Sequence, residues 1–83
     1  MPLFMDIHKK VDGATAEAVA EAHARDLEVG EKYGVRYLKY WLDEKSGTIF
    51  CLVEAPDKQA AWKVHLEAHG LVADEIHEVL ENG

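Results

Sequence analysis

A single cysteine, Cys51, stands in this 83-residue chain, so no disulfide can close within it. A lone thiol suits a reducing compartment, and the expectation is a cytoplasmic protein. Prolines are equally scarce, Pro2 and Pro56 alone, and no low-complexity tract marks a linker. Residues 1–83 therefore read as one domain. No apolar run approaches the roughly 18–20 residues of a membrane-spanning helix. The opening Met1 to Asp6 carries an acid and no base, unlike the basic start of a signal peptide. Basic residues are few: nine Lys and Arg face 16 Asp and Glu, for a net charge of -7. That balance argues against nucleic acid and anionic membranes, which want basic patches, and is compatible with small molecules or cations. A Gly-rich phosphate loop, GxSxG, CxxC and HExxH are all missing.

Histidine is what the chain has in surplus, with five in 83 residues. Their positions follow from the elements that carry them. Leu3 to Lys9 alternates, with Leu3, Met5 and Ile7 on one face and Phe4, Asp6 and His8 on the other, which predicts a strand. Thr15 offers an N-cap to a helix over Ala16–Lys32, closed by Gly34. The apolar stripe of that helix is read as Val19, Ala22, Leu27 and Tyr33, with His23 set inside it. Val35 to Leu42 and Thr48 to Ala55 are strands joined by the hairpin Glu44-Lys45-Ser46-Gly47. The second of them is apolar enough to be central and covered on both faces. Asp57 caps a second helix that runs to about His69 and stops at Gly70, its inward face Ala61, Val64, His65 and Ala68. Glu75 to Glu81 is a last, acid-guarded edge strand, with Ile76 and Leu80 opposed to His77 and Val79.

The order β-α-β-β-α-β predicts an α+β, ferredoxin-like fold, a four-stranded antiparallel sheet with two helices on one face. A chain this short buries only about 60–65% of its unfolded surface, so its core is marginal alone. Large apolar side chains on both sheet faces leave one face bare, and a bare apolar face marks an interface. A second copy stacked on it gives a homodimer, the dimeric α+β barrel.

Four constellations carry chemistry. Asp6 and His8 share a strand face and can bind a divalent metal or form an oriented base, against a plain polar pair. His23 and Asp26 are i,i+3 on the first helix, against a satisfied core histidine. His65 and His69 are i,i+4, the spacing of a bidentate helical clip, against coincidence. Asp74, Glu75, His77 and Glu78 form a surface cluster that reads as a solvated edge. Cys51, flanked by Phe50 and Leu52, reads as an inert small hydrophobe, and Tyr37, Tyr40, Trp41 and Trp62 as core and interface. Imidazole with carboxylate and little thiol suits Ni2+, Zn2+, Co2+ or Cu2+.

The runs Met5-Asp6-Ile7-His8, Ala22-His23-Ala24-Arg25-Asp26-Leu27, Tyr33-Gly34-Val35, Phe50 to Pro56 and Val64 to Leu71 follow one another in order. Together they resemble a family of small bacterial nickel-binding proteins over nearly the whole chain. The resemblance implies a ferredoxin-like dimer that binds nickel, with Asp6, His8, His23, Asp26, His65 and His69 as the positions carried over. His77 departs from the pattern, where an apolar residue is usual. A divalent-metal protein serving sequestration or homeostasis is thus the first reading. The alternative is a small cofactor-independent oxygenase or isomerase using His23, His65, Asp6 and Tyr40 in a pocket between sheet and helices. A dimeric interaction module with incidental histidines is the third.

Overall fold

The computed structural model describes residues 1–83. Six elements follow in the order β1 (Leu3–His8), α1 (Ala16–Tyr33), β2 (Arg36–Asp43), β3 (Thr48–Glu54), α2 (Lys58–Ala68) and β4 (Glu75–Val79). The sheet order is β2-β3-β1-β4, and every neighbouring pair is antiparallel. This is the ferredoxin-like arrangement. No helix is long and apolar enough to cross a membrane.

Local chemistry sets the ends of the helices. The Thr15 side chain accepts from Ala18 N, and the Asp57 side chain from Ala60 N, each relieving a free amide of the first turn. At the end of α1, Gly34 turns into the left-handed region at φ 67°, and its N–H donates back to the last turn. Gly30 faces Val35 so closely that a Cβ there would lie closer than 3.0 Å to the Val35 carbonyl oxygen. Lack of a side chain thus lets the chain double back from α1 into β2.

Alternation divides each strand between two environments. On the helix side lie Phe4, Asp6 and His8 of β1 and Ile49, Cys51 and Val53 of β3, all buried. Tyr37 of β2, Val19 of α1, and Ala61 and Val64 of α2 close the core over them. A register shift between Tyr37 and Lys39 keeps Tyr40 and Leu42 on the core side after the bulge. On the opposite side, Met5 is paired with Leu52, and Phe50 lies between Ile7 and Trp41.

The strand β3 is central, as expected, but helices cover only one of its faces. The other face is open in the single chain, and the sheet does not close into a barrel. Two details of the sequence reading are corrected. Leu27 is not part of the inward stripe of α1; it is exposed, and Asp26 takes the inward position. Val19, Asp26 and Gly30 lie on one side at helical spacing, which leaves Leu27 turned away. Leu80 does not pair with Ile76 on an edge strand, because β4 ends at Val79 and Leu80 is left exposed.

Candidate metal centre

Five of the six anticipated side chains converge beneath the helices. Strand β1 brings Asp6 and His8 to the buried face, two residues apart. Helix α2 brings His65, one turn before His69, and α1 brings Asp26 down from the opposite side. Buried charge on this scale is expensive unless paired, and here every charge has a partner.

His65 is the hub. Its Nδ1 donates to Asp26 Oδ1 at 2.9 Å, and its Nε2 donates to Asp6 Oδ2 at 2.9 Å. Both ring nitrogens meet carboxylates, so the ring is held as imidazolium. Burial opposes that charge, yet Asp26 and Asp6 outweigh it and lift the His65 pKa to about 9. Reciprocally, burial opposes the Asp6 carboxylate, while His65 and His8 hold it well below the usual carboxylate range. Asp26 is depressed in the same way, with burial overcome by His65 and His69.

His69 braces the back of this cluster. Its Nδ1 accepts from Leu71 N at 3.1 Å, so its proton sits on Nε2, which lies 3.1 Å from Asp26 Oδ1. Both nitrogens of His69 are thereby committed. Tyr37 OH donates to Asp6 Oδ2 at 3.0 Å and also lies 3.2 Å from the Ala61 carbonyl oxygen. Burial and then the Asp6 charge push the Tyr37 hydroxyl up, which keeps it a neutral donor.

The front of the cluster is less satisfied. His8 Nε2 lies 3.3 Å from His65 Nε2 and 3.2 Å from Asp6 Oδ1. Asp6 Oδ1 and His8 Nδ1 are nevertheless buried without any hydrogen-bond partner. Such orphans are rare in a folded interior and ask for a cause. Cys51 faces the same point from β3, in register with Asp6. Donor atoms of Asp6, His8, Cys51 and His65 all lie within 4.8 Å of one another. Adjacent ligands at about 2.1 Å from one ion stand about 3.0–3.4 Å apart, and His8 Nε2 already holds that spacing to His65 Nε2 and to Asp6 Oδ1. The residues fit a divalent ion of borderline softness. Burial, followed by the nearby Asp6, pushes the Cys51 thiol up, so a metal would have to displace a tightly held proton to use it.

His23 stays outside the network. Its ring packs on Tyr40 at 4.7 Å between centroids, in the wall of a cavity that also borders His8 and His65. His77 is exposed on β4 and pairs with Glu75 at 2.8 Å. The sequence reading missed two members. Tyr37 and Cys51 were assigned to the core and to inert packing, and both abut Asp6. Pairing β1 with β3 antiparallel would have put Cys51 opposite Asp6.

No curated protein matches the chain. A crystal structure of SCO4226 from Streptomyces coelicolor A3(2) is similar to it, with a TM-score of 0.89 and 42% sequence identity over 98% of this chain and 99% of that one. The family model described as nickel responsive protein SCO4226-like matches residues 4–79. The chain belongs to the SCO4226-like family.

Proposed function

We propose that this protein binds one divalent transition-metal ion per chain at the buried front of the His65 cluster. Nickel is the first candidate, ahead of Zn2+, Co2+ and Cu2+. The observation that carries the reading is the convergence of Asp6, His8 and His65 donors with the orphaned Asp6 Oδ1 among them. Asp6, His8 and His65 are the proposed ligands. Asp26 and His69 stand behind His65 and orient it, as outer carboxylates do for ligating histidines. The name of the matched family, nickel responsive, agrees with nickel as the ion. His23 is removed from the proposed ligand set, because it packs on Tyr40 instead. The role proposed is sequestration or homeostasis in the cytoplasm.

The same reading includes a homodimer. Met5, Ile7, Phe50, Leu52 and Trp41 lie on the sheet face that the helices leave open, and Trp41 is 48% exposed. An apolar sheet face of this kind stacks well on its own copy.

Titration of metal-free protein with Ni2+ at about pH 7.5, followed by calorimetry, tests the metal reading. Stoichiometric binding that His65→Ala and His8→Ala each abolish supports it. Absent binding, or binding indifferent to both substitutions, overturns it.

A further inference from the structure

The proposed metal donors sit where solvent does not reach them. Asp6, His8 and His65 are each at most 2% exposed, so an ion needs a way in. Behind them the strands are hydrogen-bonded side by side and give no passage. Around them Val53, Ala61 and Val64 are fully buried, and such side chains offer a charged ion nothing in exchange for its water.

One opening differs. A cavity of about 230 Å³ lies between α1, the sheet and the loop that joins β1 to α1. It borders His8, Cys51 and His65 of the front cluster, and Asp26 and His69 behind it. Asp12 and Arg25, exposed residues of its lining, mark where it meets solvent. A water needs about 10–15 Å³ of such space, so an ion with a shell of about six waters takes less than half of the room. Two larger hollows border no member of the cluster, one between the β1–α1 loop and the β2–β3 hairpin and one beside Met1 and Leu27.

The lining holds a further side chain of ligand type. His23 is half-buried there, and of the five histidines it alone pairs with no carboxylate. Its ring rests on Tyr40, and imidazole suits Ni2+ and Zn2+ alike. Asp12 and Arg25 put one charge of each sign at the outer lining, while the net charge of -7 draws cations to the chain as a whole. The passage stops one side chain short of Asp6, which does not border the cavity and whose Oδ1 is sealed. His8 touches both, bordering the cavity and lying 3.2 Å from Asp6 Oδ1. Its ring is engaged through Nε2 alone, because Nδ1 has no partner, so it is the ring of the cluster least held in place.

We propose that this cavity is the route by which a divalent ion enters and leaves the buried centre, with His23 as the first ligand inside and the His8 ring as the gate. The proposal rests on the metal reading above. A route sets the height of the barrier and leaves both end states alone. Its residues therefore govern association and release together, whereas the ligands Asp6, His8 and His65 govern affinity.

The test is stopped-flow kinetics on full-length protein, after equilibrium Ni2+ binding has been measured. Association of Ni2+ and its release to excess chelator are followed, and both are repeated with Co2+, which exchanges its own waters faster. Ala22→Phe narrows the cavity without touching a ligand. It should slow association and release by the same factor, about tenfold or more, and leave the dissociation constant within about threefold. Ala18→Phe, one turn earlier in the same lining, serves if Ala22→Phe does not fold, with the same outcome expected. His23→Phe keeps a ring against Tyr40 and removes the donor nitrogens; it should slow both rates by about two- to fivefold at unchanged affinity. Binding whose rates ignore the narrowed cavity, for each ion bound, overturns this proposal alone. So does a narrowed cavity that speeds release and weakens affinity. Lost affinity in His23→Phe would make His23 a ligand of the centre and overturn its place on the route. Absence of nickel binding overturns both readings.

Discussion

His8 Nε2 and His65 Nε2 face each other at 3.3 Å in a buried pocket, with an Asp6 oxygen within 3.2 Å of the first and 2.9 Å of the second. In the metal-free state the proton of His65, held by Asp6 and Asp26, occupies the place that an ion would take. Metal and proton therefore compete for one nitrogen. With the His65 pKa at about 9, one proton should leave for each ion bound near neutral pH. Nickel affinity should rise about tenfold per pH unit between roughly pH 7 and 9, then level off. Calorimetry in buffers of different ionisation enthalpy counts the released protons. A pH-independent affinity over that range would rule out His65 as the displaced donor.

The same groups set the pH dependence of folding without metal. His65 has a folded pKa of about 9 against a usual value of 6.5, so its contribution is complete below 6.5 and lost as pH rises through 9. Asp6 and Asp26 are shifted the other way, and their contribution is present above the usual 3.8 and lost as pH falls below it. Metal-free protein should thus be most stable at mildly acidic pH, between the usual carboxylate value and 6.5. It should lose stability toward pH 9. Each kcal/mol lost lowers the melting temperature by about 4–8 °C in a domain of this size. Thermal melts at stepped pH check this, and a flat profile from 6 to about 9 would contradict the hub role of His65.

Asp26 separates positioning from ligation. It bonds His65 Nδ1 and lies on His69 Nε2, on the side away from His8. Asp26→Asn keeps the shape and removes the charge. Removing an outer carboxylate of this kind typically weakens metal affinity by about 10- to 100-fold. The imidazolium also loses a stabilising neighbour, so the proton released on binding should become a smaller fraction near neutral pH. Both readouts come from one titration. Loss of affinity with proton release unchanged would make Asp26 a structural group only.

The element order was legible in the sequence because each device acts locally. Thr15, Gly34, Gly47 and Asp57 signal starts and stops through their own backbone chemistry, and alternation in β1 alone sorted Asp6 and His8 from Met5 and Ile7. Asp6, His8, Asp26, His65 and His69 were individually readable as candidates for the same reason. Which of them meet depends on nonlocal register, and there the sequence was ambiguous. His23 and Asp26 sit one helical turn apart, and only the docking angle of α1 decides that Asp26 goes in while His23 goes to Tyr40. Leu27 misled for a related reason: its hydrophobicity outranked Asp26 until two imidazoles were found waiting for the carboxylate. Tyr37 and Cys51 entered the site through strand pairing, which no spacing within β2 or β3 reveals.

Gly30 tests the packing that places Asp26. It lies one turn after Asp26 on the buried side of α1, against the Val35 backbone. Gly30→Ala gains about 1 kcal/mol of helix propensity. It also forces a Cβ into the Val35 carbonyl, and overpacking of this kind costs about 1–3 kcal/mol. Backbone cannot give way as a side chain can, so the clash should win and α1 should lift away from β2. Denaturant unfolding should show a lower midpoint, and metal affinity should fall with it as Asp26 retreats from His65. A variant as stable as the parent would show that the α1–β2 junction is looser than the structure has it.

Trp41 and Phe50 decide whether a second copy covers the open sheet face. They are register partners on β2 and β3, and Phe50 is flanked on its other side by Ile7. Phe50→Glu puts a charge at the centre of that face, where a stacked partner would have to bury it. Burying an unpaired carboxylate costs several kcal/mol, and a two-fold interface incurs the cost twice. The variant should therefore sediment as a monomer under conditions where the parent is a dimer. The charge points away from the His65 cluster, because residues of β3 alternate and Cys51 and Ile49 hold the helix side. Nickel binding per chain should survive in the monomer at unchanged stoichiometry. Parent protein that sediments as a monomer across micromolar to millimolar concentration would remove the dimer, and Phe50→Glu that abolishes metal binding while remaining folded would show that the centre depends on the partner chain.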